Sequence, residues 1–112
     1  MNPTYADIIA LLNTLYGNDP NIDNAPHGVF WQKTIRDAFV KIRTDNWGVN
    51  GPLVNLGNPN ASNLYLALAG LAPFDGSELP QMPDTGAAPA GRHATAQELQ
   101  MVEAWITNGA PA

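Results

Sequence analysis

Apolar residues recur every three or four positions near both ends of the chain, which is the spacing of an amphipathic helix. At the N-terminal end this pattern predicts a helix over residues 3–16, capped by Asn2, with Pro3 at its first position. Gly17 is expected to end it. The predicted apolar face consists of Tyr5, Ile8, Ile9, Leu12, Leu15 and Tyr16.

The C-terminal helix has the clearest local signals. Thr95 and Glu98 have the spacing of a capping box, in which each side chain bonds the backbone N–H of the other residue. Gly109 and Pro111 follow the last apolar position and predict the end of the helix. Its predicted apolar face consists of Leu99, Val102, Trp105 and Ile106.

Two further helices are predicted in the middle of the chain, over residues 29–43 and from about 61 to 69. Asn60 is the expected cap of the second and Gly70 its end. The candidate core contacts are Phe30, Ile35, Phe39, Ile42, Leu64, Tyr65 and Leu68. Since no stretch alternates strongly between apolar and polar residues, the pattern predicts an all-α domain of about four helices spanning 1–112.

Residues 71–94 form a long segment rich in proline and glycine before the last helix. Irregular segments of this length are uncommon in compact domains unless they serve a function. The segment contains Met82, Pro83 and His93, so it is the first place to look for a site.

Composition excludes several classes of function. The 112 residues include no cysteine, which excludes disulfides, thiolate metal sites and thioether-linked haem. A net charge of −5 argues against nucleic-acid binding and against adhesion to anionic membranes. No apolar run approaches the ~20 residues of a membrane span, and the polar start of the chain does not resemble a signal peptide.

Four of the five basic residues fall within eleven positions; they are Lys33, Arg36, Lys41 and Arg43. Two interpretations are open. The residues form a solvated helix face, as most charge runs do, or they form a docking patch for an acidic protein partner.

Three strings occur in an order that resembles the small bacterial class I cytochrome c domains. They are the Asn-Pro-x-x-Ser-x-Leu-Tyr run within residues 57–65, the Met82-Pro83 pair, and the Trp-Ile-x-x-Gly-Ala-Pro run within 103–111. That family attaches its haem through a Cys-x-x-Cys-His motif. Here His27 is present, but Asp23 and Pro26 stand at the two cysteine positions.

The chain is also similar to a cysteine-free set of bacterial cytochrome c-like domains. The similar stretches are His-Gly-Val-Phe-Trp at residues 27–31, Thr-Ile-Arg-Asp-Ala-Phe-Val at 34–40 and the 63–74 stretch that ends in Ala-Pro-Phe. This similarity implies that the fold was kept while the haem was lost. Phe30 and Trp31 would then fill part of the vacated volume, because aromatic side chains supply large apolar area.

The resemblance implies that the N- and C-terminal helices pack against each other near a right angle. Haem, if bound, would lie between the first loop and the Met82 loop, with His27 and Met82 as axial ligands. It also implies a periplasmic or secreted location. Pocket-lining residues would be Phe30, Trp31 and Trp47.

The leading hypothesis is a haem-free cytochrome c-like binding or interaction module, accessory to a bacterial oxidase or an envelope assembly. One alternative is an electron carrier that holds haem noncovalently through His27 and Met82. Another is a cofactor-independent enzyme or a copper-binding domain that uses the vacated crevice, with His93 as a further copper ligand because imidazole and thioether ligands suit copper. The sequence contains no phosphate loop, zinc-protease motif or nucleophile elbow.

Overall fold

A computed structural model describes residues 2–17, 31, 34–45, 49–83 and 91–112 of the chain. Its α-helices are α1 (Tyr5–Leu15), α2 (Arg36–Phe39), α3 (Asn63–Ala69) and α4 (Ala96–Thr107). A 3₁₀ turn precedes α3 at Pro59–Ala61, and an isolated antiparallel bridge joins Arg43 to Pro52. The predicted all-α class is therefore confirmed. None of the helices in these ranges is long and apolar enough to cross a bilayer.

Helix α1 begins two residues later than predicted, and its cap is Thr4 rather than Asn2. Thr4 Oγ1 accepts a hydrogen bond from the Asp7 N–H, while Asp7 Oδ2 accepts one from the Thr4 N–H at 2.9 Å. This reciprocal pair is a capping box. The buried face includes Leu11, which is 5% exposed and lies between the predicted apolar positions.

Of the helix predicted over 29–43, the described residues are helical only in α2. Phe39 is fully buried, as predicted. Ile35 is 71% exposed, so its assignment to the core was wrong. The physical reason is its backbone, which is extended at φ −98° and ψ 161°, so Ile35 lies outside the helix and off the face that carries Phe39.

Helix α3 also begins later than predicted, because Asn60 belongs to the preceding 3₁₀ turn and is not the cap. Ser62 occupies the cap position without capping the helix. Its hydroxyl instead donates to the Asn58 carbonyl at 2.9 Å and accepts from the Asn55 N–H at 2.7 Å. Gly70 ends α3 in the left-handed region, at φ 69°, as predicted.

Helix α4 has the predicted capping box, and Arg92 reinforces it. Glu98 accepts from the Thr95 N–H at 2.9 Å and from two Arg92 nitrogens at 2.7 and 2.8 Å. The bond from Arg92 is the main reason that the pKa of Glu98 falls from 4.5 to about 2. The Arg92 backbone N–H donates to the Leu15 carbonyl at 2.7 Å, which ties the start of α4 to the end of α1.

The core contains an aromatic cluster contributed by three helices. The Tyr5 ring of α1 lies 5.4 Å from the Phe39 ring of α2 and 6.3 Å from the Trp105 ring of α4. Phe39 and Trp105 are 6.0 Å apart and meet edge to face. Pairs of this kind add about 0.5–1.5 kcal/mol beyond their buried area. The N- and C-terminal helices thus contact each other; the crossing angle implied by the resemblance stays a prediction.

The carbonyls of residues 109–111 accept hydrogen bonds from all three of these helices. Pro111 O accepts from the Tyr5 N–H at 3.0 Å and from Trp105 Nε1 at 2.9 Å. Arg36 donates through Nε to Ala110 O at 2.6 Å and through Nη2 to Gly109 O at 2.8 Å. Ala110 is fully buried and adopts φ 54°, a left-handed conformation that is uncommon for alanine.

Replacement of Arg36 should therefore destabilise the fold. In Arg36→Lys the charge remains, but a single ammonium cannot reproduce the fork that reaches two carbonyls. We expect a loss of about 1–3 kcal/mol in the free energy of unfolding, measured by urea titration, since hydrogen bonds to charged groups contribute on this scale. Lys41→Ala, at an exposed position nearby, is the control and should stay within about 0.5 kcal/mol of the parent. Equal stability of the two variants would contradict the assignment.

Stability should also fall in acid because of Glu98. Its folded pKa of about 2 lies below the reference value of 4.5. The stabilisation is therefore complete above pH 4.5 and is lost as the pH falls towards 2. Glu98→Gln should flatten the dependence of unfolding free energy on pH in this window. Gln97→Ala, at an exposed and uncharged position on the same helix, is the control and should leave the slope unchanged; the same slope in both variants would refute the prediction.

Candidate functional site

The structure describes part of the predicted site. Trp31, Met82 and His93 lie within the described ranges. His27, Phe30 and Trp47 lie outside them, so their predicted roles stay predictions.

Trp31 is an anchored residue and is only 2% exposed. Its indole Nε1 donates to Asn13 Oδ1 at 2.7 Å, and its ring lies 4.8 Å from that of Tyr16. Asn13 and Tyr16 are three residues apart at the end of α1, so they face the same side. Burial raises the pKa of Tyr16 to about 12, which keeps this phenol neutral. Trp31 thus attaches position 31 of the chain to α1.

An open groove of about 510 Å³ runs along α1 beside Trp31. The other lining residues are Tyr5, Ala6, Ile9, Ala10, Asn13 and Thr34. The Tyr5 hydroxyl donates a hydrogen bond to the Thr34 carbonyl at 3.0 Å. This bond holds the segment that begins at Thr34 against the helix. The groove is mainly apolar, with the amide of Asn13 and the hydroxyls of Tyr5 and Thr34 as polar side-chain groups, and Met82 is not among its lining residues.

Met82 is held at a different place, at the end of α3. It is half-buried against the core, and its backbone N–H donates to the Ala67 carbonyl at 2.9 Å. The neighbouring Gln81 donates through Nε2 to the Leu68 carbonyl at 3.0 Å. A Cβ at Gly70 would lie 2.8 Å from Gln81 Oε1 and would displace that side chain, and the φ of 69° at this position favours glycine. The position of Met82 is therefore set by α3.

His93 lies next to the Met82-Pro83 segment. Its Nε2 is 3.0 Å from the Pro83 carbonyl oxygen, although much of the side chain is exposed. The structure thus brings His93 to the segment that carries Met82. Among the described residues, no group of three or more His, Asp or Glu side chains could hold a metal ion. The copper hypothesis depends on His27, which lies outside those ranges.

The basic residues predicted to form a docking patch are not equivalent. Arg36 is bound to the carbonyls of the C-terminal turn and to Asp37. Arg43 pairs with Asp45 at 2.8 Å, and the hydrogen bond between them raises the pKa of the arginine and lowers that of the carboxyl. Lys41 is exposed, and Lys33 lies outside the described part of the chain.

Sequence reasoning missed Asn13 and a buried polar network. Asn13 follows Tyr5 and Ile9 at four-residue spacing, so it lies on the same stripe of the helix as these two residues. A single amide in an otherwise apolar stripe is the sequence signal that could have identified it. In the network, Asn63 Nδ2 donates to Thr44 Oγ1 at 2.7 Å and to the Asn50 carbonyl at 3.2 Å. These bonds attach Thr44 and Asn50 to the start of α3.

Comparison of the chain with family models, with curated proteins and with solved structures finds no match. The resemblance to cytochrome c domains therefore depends on the order of its motifs alone and stays a prediction.

The anchoring of Trp31 can be measured by removing its hydrogen bond. Trp31→Phe retains most of the ring area but leaves Asn13 without the indole donor, so we expect a loss of about 1–3 kcal/mol in unfolding free energy. Asn13→Ala in the Trp31→Phe background should add little, since the shared bond is already gone. Chemical denaturation followed by circular dichroism gives the cycle; strictly additive losses would refute the bond.

Proposed function

We propose that this protein is a haem-free cytochrome c-like domain that acts as a binding or interaction module, accessory to a bacterial oxidase or an envelope assembly. The observation that carries the proposal is the burial of Trp31, four positions after His27. In the resembling domains this stretch borders the haem. Here it supplies a tryptophan that packs on the protein's own first helix.

The energetics of Trp31 favour the haem-free state. Its indole is 2% exposed and bound to Asn13, so displacing it would break a hydrogen bond and expose a large apolar ring. Truncating a buried tryptophan typically lowers the free energy of unfolding by about 3–5 kcal/mol. Moving Trp31 aside to admit a haem would carry a penalty on this scale.

The surface that remains suits a binding role. The groove beside Trp31 is apolar, and its floor is the rigid helix α1 rather than a loop. A preformed groove lowers the entropy lost on binding. Among the predicted docking residues that the structure describes, Lys41 is exposed and available for steering, whereas Arg43 pairs with Asp45 and Arg36 bonds the C-terminal turn. A periplasmic location is part of the proposal through the resemblance alone.

One observation favours the second candidate, a noncovalent haem electron carrier. Met82 presents a thioether from a segment that is fixed to α3 and half-buried. A fixed methionine is what an axial ligand requires, and His/Met ligation is a known haem pair. Under this alternative His27 supplies the other ligand.

An absorbance spectrum separates the two candidates. We expect no Soret band in the purified protein and no saturable band on titration with haem. A stoichiometric band in the parent that disappears in both His27→Ala and Met82→Ala would establish the electron carrier instead. Met101→Ala, at a methionine on α4, is the matched control for loss of a thioether, and circular dichroism would confirm that each variant is folded.

The interaction role needs a separate measurement. A photo-crosslinking residue at Ala10, in the groove, should capture a defined oxidase or envelope subunit in the native cell. The same residue at Gln97, exposed on α4, should not. Crosslinks of equal yield at both positions, or none at Ala10, would count against the groove as the binding surface.

A further inference from the structure

The loop that leads into α3 contains an Asn-Gly pair in an unusual hydrogen-bonding position. Asn50 is exposed, and the backbone N–H of Gly51 donates to Asp45 Oδ1 at 3.3 Å. Gly51 adopts φ 120°, and a Cβ there would lie 3.3 Å from Asn63 Nδ2. The φ of 120° favours glycine at position 51, and as a result no side chain shields the peptide nitrogen that follows Asn50.

We propose that Asn50 is a site of spontaneous covalent modification, in which the Gly51 backbone nitrogen attacks Asn50 Cγ. A bond forms between this nitrogen and Cγ, the bond between Cγ and Nδ2 breaks, and ammonia leaves. The product is a five-membered succinimide. Water then opens the ring at either carbonyl and gives aspartate or isoaspartate, so no oxidant, enzyme or cofactor takes part.

Asp45 gives this site its specificity. The attacking nitrogen must lose its proton, and the atom that accepts its hydrogen bond is a carboxylate oxygen, which can take the proton as a general base. Arg43 tempers this base, because its hydrogen bond to Asp45 lowers the pKa of the carboxyl. Asp45 therefore raises the rate of succinimide formation, and Arg43 lowers it.

A second Asn-Gly pair in the same chain is a built-in control. The Gly109 N–H donates to the Ile106 carbonyl at 3.1 Å, and the Gly109 carbonyl accepts from Arg36. A peptide carbonyl is far too weak a base to accept the proton. Asn108 has the same neighbour in sequence as Asn50, but it lacks the carboxylate.

Modification would change the buried network. The Asn50 carbonyl accepts from Asn63 Nδ2, which also bonds Thr44 Oγ1. Isoaspartate lengthens the main chain by one atom at this point and turns that carbonyl into part of a free carboxylate. Asn50 would then lose its hydrogen bond from Asn63 of α3, so the buried network would weaken as the protein ages.

The experiment is incubation of the folded full chain at neutral pH, with samples taken over days. Trypsin separates Asn50 and Asn108 into different peptides, and fragment-ion mass spectrometry places the conversion of amide to acid. We expect Asn50 to react several-fold faster than Asn108. Asp45→Asn, which keeps an acceptor but removes the base, should slow Asn50 several-fold, and Arg43→Gln should accelerate it. Neither variant should change Asn108.

Two further readouts make the outcome decisive. On moving to mildly acidic buffer, Asn108 should slow more than Asn50, since hydroxide is its only strong base. Asn50→Gln should resist the conversion and retain the melting temperature that the aged parent loses. Equal rates at Asn50 and Asn108 in the folded parent, or an unchanged Asn50 rate in Asp45→Asn, would overturn the proposal. Urea-unfolded protein should show equal rates, and a persisting difference there would assign the effect to local sequence instead.

Discussion

Three consecutive carbonyls at residues 109–111 hold α1, α2 and α4 together. The donors are the backbone N–H of Tyr5, the first residue of α1, the guanidinium of Arg36 in α2, and the indole N–H of Trp105 in α4. These donors lie beside the Tyr5–Phe39–Trp105 aromatic cluster, so polar and apolar contacts fix the same junction. The left-handed backbone at Ala110 turns its carbonyl towards Arg36, and the strain of that conformation is offset by complete burial and by bonds on both sides.

This junction explains which parts of the fold the sequence could predict. α4 was predictable because its capping box and its apolar face agree with its packing, and α1 was predictable from its apolar face, although its cap is Thr4 rather than Asn2. α2 was not, because the described part of it is one short turn whose Arg36 bonds residues that are distant in sequence. Ile35 is apolar, but it precedes the helix in an extended conformation and is exposed. Contacts separated by more than seventy residues leave no trace in periodicity.

The candidate site shows the same division. The sequence indicated Trp31 and Met82 from motif order, but it did not reveal that they are fixed to different helices. Trp31 is hydrogen-bonded to Asn13 of α1, and the backbone N–H of Met82 is hydrogen-bonded to the Ala67 carbonyl of α3. Both helices pack on α4, so the separation of Trp31 and Met82 is set by helix packing.

The hydrogen bonds of Gln81 and Met82 to the last carbonyls of α3 close residues 71–80 into a loop whose two ends lie at nearly the same place. Within this loop Phe74 is buried, whereas residues 75–78 are exposed. Since the entropy of closing a loop rises slowly with its length, residues can be added at the exposed tip at little cost. This tip is thus a natural place to graft foreign peptides, because Met82 would keep its position while the inserted sequence varied.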